Sequence, residues 1–256
     1  MAKWAGNRMM IKRKTDEFIY GTRAVLEAIA AGKEIDKLLI QKDLKNELIS
    51  ELIGIASSHR VPYTKVPIDK LNRVTRKNHQ GAIAFISAIN YASLDNIISE
   101  VYQKGEVPLL VILDRITDVR NFGAIARSAE CAGAHGIIIP SRGAAQINSD
   151  AMKTSAGALN HIPVARTENL KNTIKEIQGN GIQVVALTEK SEELIYSCDL
   201  KDPVAILMGS EEDGVSYEYL KLADHKIKLP INGKIDSLNV SVACAVALYE
   251  AVRQRA

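Results

Sequence analysis

Residues 229–250 read LPINGKIDSLNVSVACAVALYE, a turn built from Pro230, Asn232, Gly233 and Ser237 followed by a nearly uninterrupted apolar helix. Asn239 stands at the junction, where an N-cap side chain satisfies an orphan amide of the first helical turn. Beyond it Val240, Ala243, Cys244, Ala247, Leu248 and Ala251 recur at helical spacing with mostly small side chains, which lets a second backbone approach closely. A polar-capped core helix has the same pattern, so the surroundings decide between packing and a ligand site. Upstream, from Pro108, the apolar runs are short and continuous, as in parallel strands buried on both faces. Strands are predicted at 109–113, 136–139, 183–187, 204–208 and 226–229, with helices near 123–132, 170–178 and 240–253. This pattern describes an α/β domain with an open parallel sheet. Ligands bind such sheets beyond the carboxyl ends of the strands, so the loops at Asp114, Thr188, Gly209 and Pro230 are expected to converge.

Nearer the N-terminus the periodicity gives a second, smaller α/β unit over residues 15–88: helix 22–31, strand 37–40, helix 45–58, strand 62–66, a short helix from Ile68 and strand 82–87. Residues 89–106, a polar helix at 93–103 ending in Lys104, Gly105 and Glu106, read as the linker to the large domain of 107–256. Charge is unevenly divided. Residues 1–14 form a basic tail, with Lys3, Arg8, Lys12, Arg13 and Lys14 against no acid, and residues 15–88 hold 11 bases against 9 acids. From residue 89 onward 17 bases face 21 acids, so a basic front precedes a mildly acidic body. Such a front is suited to a polyanion, because Lys and Arg that neutralise phosphates drive nucleic-acid affinity. The sharpest basic strip is Arg60, Lys65, Lys70, Arg73, Arg76 and Lys77 against the single Asp69, flanked by His59 and His79, and it is expected to face RNA.

Composition narrows the class. Of 256 residues, 46% are hydrophobic and 25% charged, which excludes a disordered or fibrous chain. No apolar run approaches the ~20 residues that cross a bilayer, and no signal-peptide pattern opens the chain, so a cytoplasmic protein with no membrane partner is expected. Cys131, Cys198 and Cys244, and the five histidines, are dispersed without ligand spacing, so neither a disulfide framework nor a metal site is expected.

Two further motifs bear on chemistry. NFGAIAR, residues 121–127, follows the first strand of the large domain: Asn121 is a candidate helix cap, Gly123 permits close backbone approach, and Arg127 offers a planar guanidinium to a phosphate. GSEEDG, residues 209–214, directly follows strand 204–208. Its glycines allow a tight turn against a ligand, and Glu211 places a carboxylate at the mouth. It is not a nucleotide-phosphate loop, since Val215 stands where the phosphate-binding Lys belongs, and the Gly-x-Gly-x-x-Gly of a dinucleotide fold is absent.

In this order and spacing NFGAIAR, SAGALNHIPV at 155–164, GSEEDG and LPINGKIDSLNVSVA at 229–243 resemble the SpoU-type (SPOUT class) 2′-O-ribose RNA methyltransferases. The front unit is similar to that family's substrate-binding domain through YGTRAVLEAI at 20–29 and HQGAIA at 79–84. The full-length layout resembles most the bacterial enzymes that methylate a guanosine ribose in 23S ribosomal RNA. The resemblance implies a deep trefoil knot in the C-terminal parallel-sheet α/β domain, a small N-terminal α/β RNA-binding domain, and S-adenosyl-L-methionine as cofactor. It implies cofactor contacts at Leu187, Thr188, Gly209, Leu229, Pro230, Ile231, Ser237 and Leu238, and a catalytic set of Asn121, Arg127, Glu211, Ser237 and Asn239. It further implies a homodimer through the C-terminal helix and ribosomal RNA, of the large subunit or its assembly precursor, as partner. Methyl transfer to a ribose hydroxyl needs alignment and proton removal, and no metal. Guanidinium stays protonated in proteins, so Arg127 is expected to grip a phosphate and stabilise a developing alkoxide, with Asn121 and Asn239 orienting the site. Val119 and Arg120 replace the Pro and His that many relatives carry before the asparagine. A transfer-RNA ribose methyltransferase and a non-catalytic RNA-binding or ribosome-assembly protein are the alternatives.

Overall fold

The continuous apolar runs become central strands in the computed structural model, which describes residues 18–256. The large domain is a six-stranded, wholly parallel sheet of order β10-β8-β9-β5-β6-β7. Its strands are β5 (Leu109–Leu113), β6 (Gly136–Pro140), β7 (Val164–Thr167), β8 (Gln183–Leu187), β9 (Val204–Met208) and β10 (His225–Ile227). β5 and β9 are buried along their whole length, and the two-residue period divides them between two cores. Leu109, Val111 and Leu113 join α5 (Val119–Cys131), α6 (Ser149–Thr154) and α9 (Val240–Arg255) on one face. Leu110 and Ile112 join α4 (Leu94–Gln103) and α7 (Leu170–Gly179) on the other, beside α8 (Tyr217–Leu220). α4 lies in the span expected to be a linker, yet it covers the sheet: Ile97 and Ile98 are buried, and a Cβ at Gly136 would lie 3.0 Å from Ile97 Cγ2.

The front domain comprises β1 (Phe18–Tyr20), α1 (Thr22–Ala30), β2 (Ile35–Gln41), α2 (Glu47–Ser58), β3 (Tyr63–Val66), α3 (Ile68–Val74) and β4 (Ala82–Ile86). Its sheet runs β1-β4-β2-β3, with only the β2–β3 pair parallel, leaving β3 as an edge. Periodicity missed two strands. β1 is three residues long, too short to show alternation, and β7 is four residues, VART, with a charged side chain committed to the domain junction. The basic tail expected at 1–14 lies outside the described residues.

Candidate active site

The three motifs meet at Asn239. It caps α9 as expected, its Oδ1 accepting from Ser241 N at 2.9 Å and Ser241 Oγ at 2.6 Å. Its amide Nδ2 donates to Asn121 Oδ1 at 3.0 Å and to Glu211 Oε1 at 2.8 Å. All the hydrogen-bonding directions of the amide are thus used, which fixes both the rotamer and the O/N assignment. Residues 118 and 90 positions apart from one another in the chain become one polar corner because the loops after β5 and β9 and the start of α9 lie at one edge of the sheet.

Asn121 contributes differently from the sequence expectation. Asp118 caps α5, accepting from Arg120 N at 2.7 Å and Asn121 N at 3.0 Å, so the cap stands three residues earlier and Asn121 lies inside the first turn. Asx residues three apart compete for a cap, and the earlier one leaves the Asn121 side chain free to face Asn239. Gly123 does provide close approach, since a Cβ there would lie 2.6 Å from Thr154 Cβ.

The loop carrying Glu211 is held by contacts that sequence reasoning missed. Ser210 and Gly214 form an antiparallel bridge, and a Cβ on Gly209 would fall 2.0 Å from the backbone of Gly214 and Val215. Buried Asp114, at the end of β5, accepts from Ser216 N at 2.8 Å and Ser216 Oγ at 2.5 Å. Arg115, at φ 59°, spans the gap: its guanidinium donates to Asp114, to Asp213 Oδ2 at 2.8 Å and to Gly214 O at 3.1 Å. An acid–base dipeptide at a strand end was the available signal, but nothing in it specified a partner 98 residues away.

Beside this corner lies a cleft of about 420 Å³, within the ~300–1,000 Å³ range of small-molecule sites. Of the four loops expected to converge, those after β8, β9 and β10 line it, and the loop at Asp114 after β5 does not. Leu187, Thr188, Gly209, Leu229, Ile231, Ser237 and Leu238 all line it, and Pro230 does not. Met208, Val240 and Ala243 add apolar floor, while Glu189, Glu211, Glu212 and Asp236 place carboxylates on the walls. Ile231 and Leu238 remain 39% and 44% exposed, apolar surface at a cleft wall that a ligand would cover. Ser237 and Asn239 share this wall, so the cleft and the polar corner are continuous.

Arg127 is exposed on α5, its side chain makes no hydrogen bond or ion pair with another described residue, and it does not line the cleft. Of the cysteines, Cys198 and Cys244 are buried, and burial pushes their thiols up to about 11 and about 12, so both are poor nucleophiles. Cys198 nevertheless meets Glu193 and His225, their ligand atoms lying within 4.8 Å of one another, although their sequence positions are dispersed.

The parallel α/β sheet with its cleft at the carboxyl edge, the polar Asn–Glu–Asn corner beside it and the small front domain are the frame on which the motifs resembling the SpoU-type RNA methyltransferases stand. The chain belongs to that family: the model of the SpoU rRNA methylase family matches residues 108–249, and that of RNA 2′-O ribose methyltransferase substrate binding matches residues 18–92. Among individual proteins it is 36% identical over 239 residues to YacO of Bacillus subtilis, assigned to the TrmH family of tRNA/rRNA methyltransferases, covering 93% of this chain and 96% of that one. Its fold is similar to the SpoU methyltransferase AviRb from Streptomyces viridochromogenes in complex with AdoMet, with a TM-score of 0.60 and 27% identity over 98% of this chain and 94% of that one. It is also similar to the A. aeolicus TrmH/SpoU tRNA modifying enzyme, with a TM-score of 0.54 and 30% identity over 63% of this chain and 84% of that one. No described helix is long and apolar enough to cross a membrane.

Proposed function

We propose that the protein methylates the 2′-hydroxyl of a guanosine ribose in 23S ribosomal RNA, in the cytoplasm, with S-adenosylmethionine as donor. The observation that carries this reading is the Asn239 amide bonded to both Asn121 and Glu211 at the end of the cleft. The cleft suits the donor chemically: its apolar floor matches an adenine ring, and its wall carboxylates favour a sulfonium cation while repelling a free triphosphate. Bound there, S-adenosylmethionine supplies the methyl group. Glu211 uses Oε1 to hold Asn239, leaving Oε2 to accept the ribose proton. Asn121 presents its own amide to the ribose, and Ser237 faces the same wall. In this reading Arg127, exposed on α5 and outside the cleft, holds a phosphate beside the target ribose and stabilises the developing alkoxide.

A trefoil knot that threads the 226–240 segment would account for one loop serving both cleft wall and α9 cap. A homodimer through α9 is part of this reading, supported by a second face that exposes Val242, Val246 and Tyr249 at one-turn intervals while Cys244, Ala247 and Leu248 are buried. The likeness to a tRNA modifying enzyme favours transfer RNA as the second reading; the complete front domain supports the ribosomal one. Incubation with labelled cofactor and separated ribosomal and transfer RNAs decides between them, with label in transfer RNA alone overturning the ribosomal assignment. Arg127→Ala is expected to abolish methylation while leaving cofactor affinity within about twofold by calorimetric titration. Near-normal turnover of this variant would remove Arg127 from the mechanism.

A further inference from the structure

A groove of about 710 Å³ runs between the two domains. One wall is the front domain's Arg60, Pro62 and Tyr63, at the start of the edge strand β3; the other is Ser141 and Arg142 after β6, with Asn169 and Lys171 at the start of α7. A narrower extension, sharing Pro62, Tyr63 and Arg142, continues along β3 past Thr64 and Lys37. Arg60, Arg142 and Lys171 are exposed and make no ion pair or side-chain hydrogen bond with a described residue. Cations from both walls thus face one channel without being neutralised by the protein. Two carboxylates, Glu168 and Glu218, share the channel and would confine a phosphate to the positions beside the cations.

The groove is built and placed with respect to the catalytic corner. Its extension is lined by a latch between the domains: Asp36 of β2 accepts from Ile147 N at 2.8 Å and from the Tyr91 hydroxyl, Arg166 of β7 donates to Ile35 O at 2.8 Å, and the Arg166 guanidinium lies 4.3 Å from the centre of the Tyr91 ring. The residues after β6 and β7 lie at the same carboxyl edge of the sheet as Asp114 and Gly209. A Cβ on Gly143 would touch Arg115 Cγ at 3.9 Å, so the loop bearing Arg142 abuts the arginine that holds the Glu211 loop. Arg60 is also the first residue of the basic strip that continues through Lys65 and Arg73.

We propose that this groove holds the phosphodiester backbone of single-stranded RNA flanking the target nucleotide, with Arg60, Arg142 and Lys171 as its phosphate contacts. The inference rests on the RNA methyltransferase reading and adds where the strand lies. A single strand presents phosphates to the cations and base faces to the half-buried rings of Tyr63 and Tyr219, whereas a duplex keeps its base faces stacked away from such rings. Long-range positioning of the strand is then shared by both domains, which explains why the latch fixes their separation.

The test is fluorescence anisotropy with a labelled single-stranded RNA oligonucleotide across a salt series, for the full chain and for the triple variant Arg60→Asn, Arg142→Ala, Lys171→Ala. Asparagine is chosen at position 60 because the residue sits at φ 54°, which Asn tolerates. The variant is expected to bind about 10- to 100-fold more weakly at low salt, with the slope of log affinity against log salt reduced by about 2. Its melting temperature and its calorimetric affinity for S-adenosylmethionine should match the parent's. Glu168→Lys should tighten RNA binding. If the parent binds RNA and the triple variant binds it with the same affinity and salt slope, the groove assignment is overturned and the methyltransferase reading stands. Equal weakening toward a duplex of the same sequence would overturn the single-strand assignment. A parent chain that neither binds nor methylates any RNA would overturn both.

Discussion

At the scale of single residues, Asn239 does two separable jobs. Its oxygen caps α9 and its nitrogen ties Asn121 to Glu211. Asn239→Ser keeps a capping oxygen, so unfolding free energy should change by no more than about 0.5 kcal/mol. It removes the two amide bonds, and methylation should fall by about 10²- to 10³-fold, the loss typical of deleting one preorganised donor. Thermal melts paired with single-turnover assays separate the two effects; near-normal turnover with an intact fold would show that the corner is structural. The identity of these residues was readable from motif order, but the bonds among them were not. Asn121 illustrates why: a side chain read as a cap is released for the site by Asp118, three positions earlier, and both are good capping residues.

At the scale of elements, the loop after β9 is specified by sterics more than by charge. Gly209→Ala would place a Cβ 2.0 Å from the backbone of Gly214 and Val215, against atoms that cannot rotate away. The loop must shift, at a cost of about 1–3 kcal/mol, and S-adenosylmethionine affinity should drop at least tenfold by calorimetry. Unchanged affinity would mean that this loop does not shape the cleft. Helix α9 makes the complementary case. Its apolar residues run all the way round, which a single buried stripe does not require, and the exposed Val242, Val246 and Tyr249 call for a second surface. Val246→Glu is expected to convert a dimer to a monomer in light scattering behind size exclusion, with little change in far-ultraviolet circular dichroism; a parent that is already monomeric would reject the dimer. The small residues recurring at helical spacing, Cys244, Ala247 and Ala251, lie on the buried face, and the exposed one carries two valines and a tyrosine.

At the scale of the whole molecule, the Asp36–Tyr91–Arg166 latch sets how the domains meet. Burial, outweighing the hydrogen bonds from Tyr91 and Ile147 N and the charge of Arg166, raises the Asp36 carboxyl above its ordinary value. Burial and the neighbouring carboxylate likewise raise the Tyr91 phenol, which stays protonated and donates. A carboxyl whose folded value is raised contributes stability fully below its unfolded value, near pH 4, and loses it as pH rises through the folded value. Asp36→Asn cannot ionise, so the melting temperature of the variant relative to the parent should increase from pH 4 to pH 7, as followed by scanning calorimetry. A difference independent of pH would show that the latch carboxyl is not the titrating group. Nothing in the sequence marked this contact, because Asp36 and Ile147 are 111 positions apart and each is ordinary in its own neighbourhood.

The sequence alone determined the elements and the chemistry on offer. Five-residue apolar runs require a parallel sheet buried on both faces, and the order of NFGAIAR, GSEEDG and the Leu229 turn puts the functional loops at its carboxyl edge. Only the tertiary structure decided which side chains complete one another: Asn239 with Asn121 and Glu211, Arg115 with Asp213, Asp36 with Tyr91 and Ile147. Periodicity records which face of an element avoids water, a local property of the chain. A hydrogen bond between residues a hundred positions apart depends on strand order and on how closely the loops approach, and those are set by the packing of the whole sheet.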